Sequence, residues 1–152
     1  MPLRFYHEEQ KPEPGRKSKL MESLITYVMV GAGGFIGANA RFILGRWASQ
    51  KWGTAFPIGT LIINLAGCFI LGLFATVANR LALNDYWRLL VAVGFVGAFT
   101  TFSTFEYETF ELMRQANLLR AAANAFGSLI FGFVAVFLGV VVARVLLRGN
   151  TQ

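Results

Sequence analysis

Cysteine and histidine occur once each in these 152 residues, as Cys68 and His7. A single thiol excludes an intrachain disulfide, and neither residue has the neighbours of a cysteine- or histidine-rich metal site. Charge is also scarce: 14% of residues are charged against 55% hydrophobic. Soluble domains carry about 25% charged residues, so the chain lacks the polar surface that coats a globule, and its mean hydropathy is +0.54. A large soluble enzyme, a disulfide scaffold and a disordered chain do not fit. Missing too are a phosphate-cradling glycine-rich loop with its lysine, a Ser/His/Asp set and a His/Cys cluster. No enzyme activity is expected.

What charge there is leans positive, at +6. Nucleic-acid binders gather basic residues on one face or stripe. Here they are strung singly between apolar runs, so no nucleic-acid partner is expected. Basic residues flanking apolar segments are what membrane orientation and headgroup contact produce. The chain reads as a membrane protein.

Residues 1–22 form a polar N-terminal tail with charges of both signs plus Pro2, Pro12, Pro14 and Gly15, expected to be flexible and cytoplasmic. Met21, just before the first apolar run, is a candidate natural start. His7 is expected to be solvated. Residues 23–148 form one transmembrane domain, and 149–152 a short C-terminal tail. Within the domain, Leu24–Gly45, Pro57–Asn79, Leu89–Met113 and Ala121–Leu147 each reach the ~20 residues a helix needs to cross a bilayer. Short connectors imply antiparallel neighbours. Trp47, Trp52, Tyr86 and Trp87 fall in or beside connectors, where interfacial aromatics belong.

Most of the 16 glycines lie inside the spans. Small residues let helix backbones approach closely in lipid, and Gly33 and Gly37 have the spacing of a packing motif, as do Ala123/Gly127 and Ser128/Gly132. A tightly packed bundle and an oligomer follow. Counting basic residues by side gives nine against five, but four against five once the tail is removed. The bias that sets topology is then nearly absent, and opposite insertions can pair as an antiparallel dimer.

Polar residues inside spans are costly and are functional candidates by default. Asn39 and Arg41 stand near the end of the first span, where an arginine can snorkel or guide anions. Thr60 and Asn64 share a face of the second span, and Asn124 and Ser128 share one of the fourth. The third span carries Gly94, Gly97, then Thr100, Thr101, Phe102, Ser103, Thr104 and Phe105. Glycine and threonine weaken a helix, so a mid-membrane break is expected. Carbonyls freed there bind an ion or line a cavity. Phe102 and Phe105 would present ring edges, whose positive quadrupolar charge can face an anion. Glu106, Glu108 and Glu111 follow. Neutral donors without a central basic residue suit an anion held weakly at several points. Cys68 is expected to be a packing residue.

Gly33-Gly34-x-x-Gly37-x-x-x-Arg41-Phe42, Gly59-Thr60-Leu61-x-x-Asn64-x-x-Gly67-Cys68-Phe69 and Gly94-x-x-Gly97-x-x-Thr100-Thr101-Phe102-Ser103-Thr104-Phe105 together resemble the Fluc/CrcB family of fluoride channels, from about Leu24 to Arg148. The resemblance implies an all-α membrane protein with four transmembrane helices per subunit, the third broken at mid-membrane, in a dual-topology homodimer. It implies passive, fluoride-selective export of fluoride across a prokaryotic plasma (inner) membrane. It places Asn64, Phe102 and Phe105 on the fluoride path, with Ser103, Thr104, Asn124 and Ser128 as further donors. It also implies a structural sodium ion at the dimer centre, held by the carbonyls of Gly97 and Thr100. Gly33, Gly37, Arg41 and Glu108 fall to helix packing or a vestibule.

One departure concerns the fourth span. Asn124 stands where family members often carry a tyrosine, and Gly132 and Val136 lack the side-chain donors of the family's polar track. The other readings of the chain are a proton-coupled exporter of small cations, which needs a titrating intramembrane acid, and a non-conducting partner subunit.

Overall fold

The computed structural model describes the backbone of residues 16–148 and the side chains from Lys19 onward. All of its regular structure is helical: α1 (Arg16–Trp52), α2 (Ile58–Arg80), α3 (Asp85–Arg88), a π-helical stretch (Leu89–Val96), α4 (Gly97–Phe99), α5 (Phe102–Arg114) and α6 (Leu118–Arg148). Four helical spans are long and apolar enough to cross a membrane, the third running from Asp85 to Arg114. The expectation of four spans holds.

Two boundaries move. The helix begins at Arg16, inside the segment read as flexible tail, and it continues past Gly45 to Trp52. Residues 1–15, including His7, lie outside the described residues, as do 149–152. At 1.5 Å per residue α1 is about 55 Å long, well beyond the ~30 Å hydrocarbon layer. It ends where Gly53, at φ 72°, donates its N–H back to the Ser49 carbonyl, the left-handed stop that glycine adopts without cost. At this end Lys51 Nζ sits 5.2 and 5.0 Å from the ring centroids of Trp47 and Trp52.

The other two turns close differently. After α2, Leu83 N–H reaches the Ala78 carbonyl, and after α5, Asn117 N–H reaches that of Leu112. Both are helix-ending turns that ask for a left-handed residue, and both use alanine: Ala82 at φ 48° and Ala116 at φ 58°.

Short connectors do set sequential spans antiparallel, but the most intimate contacts join spans that run the same way. α1 lies along the π-helical stretch, and α2 lies along α6. Glycine makes both contacts possible. A Cβ on Gly33 would overlap the Leu90 carbonyl, and one on Gly37 that of Phe95; one on Gly72 would overlap the Val136 carbonyl, and one on Gly139 that of Phe69. Gly132 packs against Cys68 Sγ, so Cys68 is the packing residue expected. Ala123 and Gly127 do not take part: Ala123 is exposed and Gly127 faces only Phe131 of its own helix.

Few large side chains are buried, and Phe35, Phe42, Phe126, Phe133 and Phe137 point outward. An outward apolar surface is stable when lipid rather than water is the solvent. The third span ties the two pairs together. Its first half packs on α1; beyond the break, α5 has no backbone contact with α1 and packs on α6 instead.

Candidate functional site

The break falls at Thr100 and Thr101, where the backbone turns extended (φ −79°, ψ 159° and φ −149°, ψ 112°). Asn64 of α2 fills the gap. Its Oδ1 accepts the Thr101 N–H at 2.9 Å, and its Nδ2 donates to the Thr101 carbonyl at 3.1 Å. One carboxamide thus satisfies both backbone groups of an extended residue in the interior, where each left unpaired would cost free energy. Thr101 then starts α5: its Oγ1 accepts the Thr104 N–H at 3.4 Å and donates to Thr104 Oγ1 at 2.9 Å. Thr100 turns the other way, its Oγ1 donating to the Val96 carbonyl at 3.0 Å.

These bonds release carbonyls. In an unbroken helix the Gly97 carbonyl would accept the N–H of Thr101, and that of Thr100 the N–H of Thr104. Both donors are engaged elsewhere, with Asn64 and with Thr101 Oγ1. Gly97 is exposed. Neutral oxygens on an open turn are the ligand type that a hard cation takes; the Gly97 carbonyl fits the sodium ion that the sequence resemblance implies, and the Thr100 carbonyl fits it only in part, since Arg41 already reaches it. Arg41 does not lie near a helix end as expected; α1 continues eleven residues beyond it, to Trp52. Its Nη1 is 3.4 Å from the Thr100 carbonyl, a long contact, and it corrects the expectation that no basic residue reaches the centre. Asn39 donates to Phe35 of its own helix and stays exposed.

Phe102 and Phe105 open α5, their ring centroids 5.9 Å apart and their planes tilted by 44°. Phe102 is 73% exposed, and Ser103 and Thr104 are exposed with it, while Phe105 is half-buried. Asn64, Cys68, Thr100, Thr101 and Phe102 border one open cavity of about 230 Å³. One turn of α2 away, Thr60 donates to Glu108 Oε1 at 2.9 Å. These two line a second cavity, of about 280 Å³, together with residues 53–57 of the first connector. Glu108 Oε2 is buried without a partner. Glu106 is exposed, and Glu111 pairs with Arg114 at 2.8 Å.

The fourth span divides. Asn124 is 2% exposed and donates to Thr109 Oγ1 at 2.8 Å, and Thr109 donates to the Phe105 carbonyl at 2.8 Å. One of its amide hydrogens is therefore spent on α5, and the other is left. Ser128, one turn further, keeps a buried hydroxyl with no partner. Gly33 and Gly37 serve packing.

Two residues of this arrangement escape a motif reading. Thr101 works as a hub rather than as one more hydroxyl, and its signal is its place as N-cap just ahead of a helical run. Thr109 is found by reflection: it and Asn124 lie equally far from the turn at Ala116 and Asn117, which an antiparallel α5–α6 hairpin brings face to face.

Fold and site together define a four-span helical membrane protein whose third span breaks at mid-bundle among neutral donors, phenylalanine rings and the Arg41 guanidinium. Residues 28–140 match the family described as CrcB-like protein, Camphor Resistance (CrcB), and the chain belongs to that family. It is similar over 119 residues, at 42% identity, to a protein of Solibacter usitatus named Fluoride-specific ion channel FluC, a match spanning 78% of this chain and 98% of that one. A protein of the same name from Chloroflexus aurantiacus is 47% identical over 116 residues, covering 76% and 92%. One from Acidobacterium capsulatum is 45% identical over 119 residues, covering 78% and 95%.

Proposed function

We propose that this chain forms a passive, fluoride-selective channel that lets fluoride leave the cytoplasm across a prokaryotic plasma membrane. The observation that carries the proposal is the Asn64–Thr101 clamp, which holds the break open beside Phe102 and leaves weak donors around it. Asn64 spends one amide hydrogen on Thr101 and keeps the second. The hydroxyl of Ser128 is unspent. Thr104 Oγ1 accepts from Thr101 and keeps its own hydrogen. Ring edges of Phe102 and Phe105 add positive quadrupolar charge without a formal cation.

A small, strongly hydrated anion loses most by dehydration, and close donors in a narrow path replace that hydration. Weak, separated donors also let it go, as conduction requires. Successive turns of α2 carry Asn64 to one cavity and Thr60 to the other, and this supports a path running along α2 between them. Names borne by similar proteins support fluoride as the ion.

The site is half open in one protomer: Gly97, Phe102, Ser103 and Thr104 all face outward. With the near-even charge count outside the tail, this supports an antiparallel homodimer in which a second copy covers the open half. A sodium ion would then be held by the Gly97 and Thr100 carbonyls. It would supply fixed positive charge at the turn, while this chain's own residues bind and orient the anion.

The test is fluoride efflux from liposomes holding the purified protein in sodium buffer, read with a fluoride electrode against chloride. Rapid fluoride release with negligible chloride release is expected, unchanged by an imposed pH gradient. Equal release of both ions would overturn selectivity, and flux that follows the pH gradient would favour a proton-coupled exporter.

A further inference from the structure

At the end of the bundle where α2 and α6 finish side by side, a cavity of about 490 Å³ is lined by Thr76, Asn79, Arg80, Arg144 and Arg148. Among the described residues, no acid lines it. Arg144 lies one turn from Arg148 on α6, and Arg80 lines the same cavity from α2. The neutral lining groups add no negative charge. Thr76 Oγ1 gives its hydrogen to the Gly72 carbonyl of its own helix at 2.8 Å. Asn79 Oδ1 accepts from Arg88 Nη2 at 2.9 Å, so the Asn79 group left for the cavity is its NH2. The nearest acid on the adjoining connector, Asp85, lies 3.9 Å from Arg88 rather than in the cavity.

Arginines at helix ends commonly serve the terminal carbonyls. Here the carbonyls of Val77 and Ala78 already accept the N–H groups of Leu81 and Leu83. The cavity also sits where the membrane-length stretch of α2 ends.

We propose that this cavity binds a phosphate-bearing anion, and that its source is the headgroup of an anionic phospholipid. Guanidinium groups present paired N–H donors that match phosphate oxygens, and basic pockets between transmembrane helices are suited to lipid headgroups. The site is separate from the break and does not depend on the ion conducted.

Native mass spectrometry of the full-length protein in neutral detergent tests this, with phosphatidylglycerol and phosphatidylcholine offered separately. The wild type is expected to retain phosphatidylglycerol in preference to phosphatidylcholine. The double variant Arg80→Gln/Arg144→Gln is expected to lose about thirtyfold in that retention, while Arg114→Gln, at the opposite end, leaves it unchanged. If the double variant does not fold, Arg80→Gln and Arg144→Gln are read singly, each with about a fivefold loss. Equal retention of both lipids, or undiminished retention by the cavity variants, would overturn the proposal. A melting temperature raised by inorganic phosphate alone, with nothing added by lipid, would keep the site and overturn the lipid as its source.

Discussion

Asn64 holds both backbone groups of Thr101 with one carboxamide, at 2.9 and 3.1 Å. Neither Asp nor Leu reproduces this. Asp accepts from the N–H but turns a carboxylate oxygen toward the carbonyl, and Leu leaves both groups unpaired. Asn64→Asp and Asn64→Leu are expected to lower stability by about 1–3 kcal/mol and to abolish fluoride flux. Thermal melts and liposome efflux check the two effects separately.

Phe102 contributes little to the packing of its own protomer, being 73% exposed. Phe102→Ile should therefore leave the fold of the protomer intact by circular dichroism while removing most fluoride flux. Normal flux would take the ring off the ion path.

Thr109 joins Asn124 to the Phe105 carbonyl. Thr109→Val strands a buried amide hydrogen, at a cost of about 1–3 kcal/mol, and loosens the backbone that carries Phe105. Thr109→Ser keeps the hydroxyl and should restore both the melting temperature and fluoride flux to near wild type.

Alanine occupies a left-handed position at Ala116, where glycine meets no steric penalty. After allowing for the greater freedom of glycine in the unfolded chain, Ala116→Gly should stabilise by roughly 0.5–1 kcal/mol and leave fluoride flux unchanged. A lowered melting temperature would contradict the assignment.

Gly139 faces the backbone of Phe69 and Leu73 with no room for a methyl group. Gly139→Ala should force α2 and α6 apart and cost about 1–3 kcal/mol, visible as a lowered melting temperature. Gly31, which faces open space, should accept alanine at little cost.

Much of this was legible before any coordinates. Apolar run length gave four spans, and the Gly-Thr-Ser string gave the break, because both depend on local chemistry. Partner choice was harder. Gly33 and Gly37 announce a close contact but not that the other side is Leu90 and Phe95, and connector length favours sequential neighbours over the parallel pairs observed. The true end of α1 was hidden because Arg46, Ser49 and Lys51 look like a loop, although helix continues readily into water. Arg41 looks like the end of a span for the same reason. For Asn124 the sequence shows a polar residue on the fourth span but not that one of its amide hydrogens goes to Thr109.

The π-helical stretch ahead of the break has a consequence for alignment. Each residue of an α-helix advances the side chains by about 100°, and a π-helical turn absorbs an additional residue. The stretch from Leu89 to Val96 therefore sets the phase at which the chain arrives at Thr100. Removing one residue there would let the wide turn tighten to α-helix, so the change is taken up locally and the following half of the span keeps roughly its phase. Phe102 would stay at the cavity beside Asn64, and Thr109 would stay opposite Asn124. Removing one from regular α-helix, between Thr104 and Thr109, has no such outlet and would turn Thr109 away by about 100°.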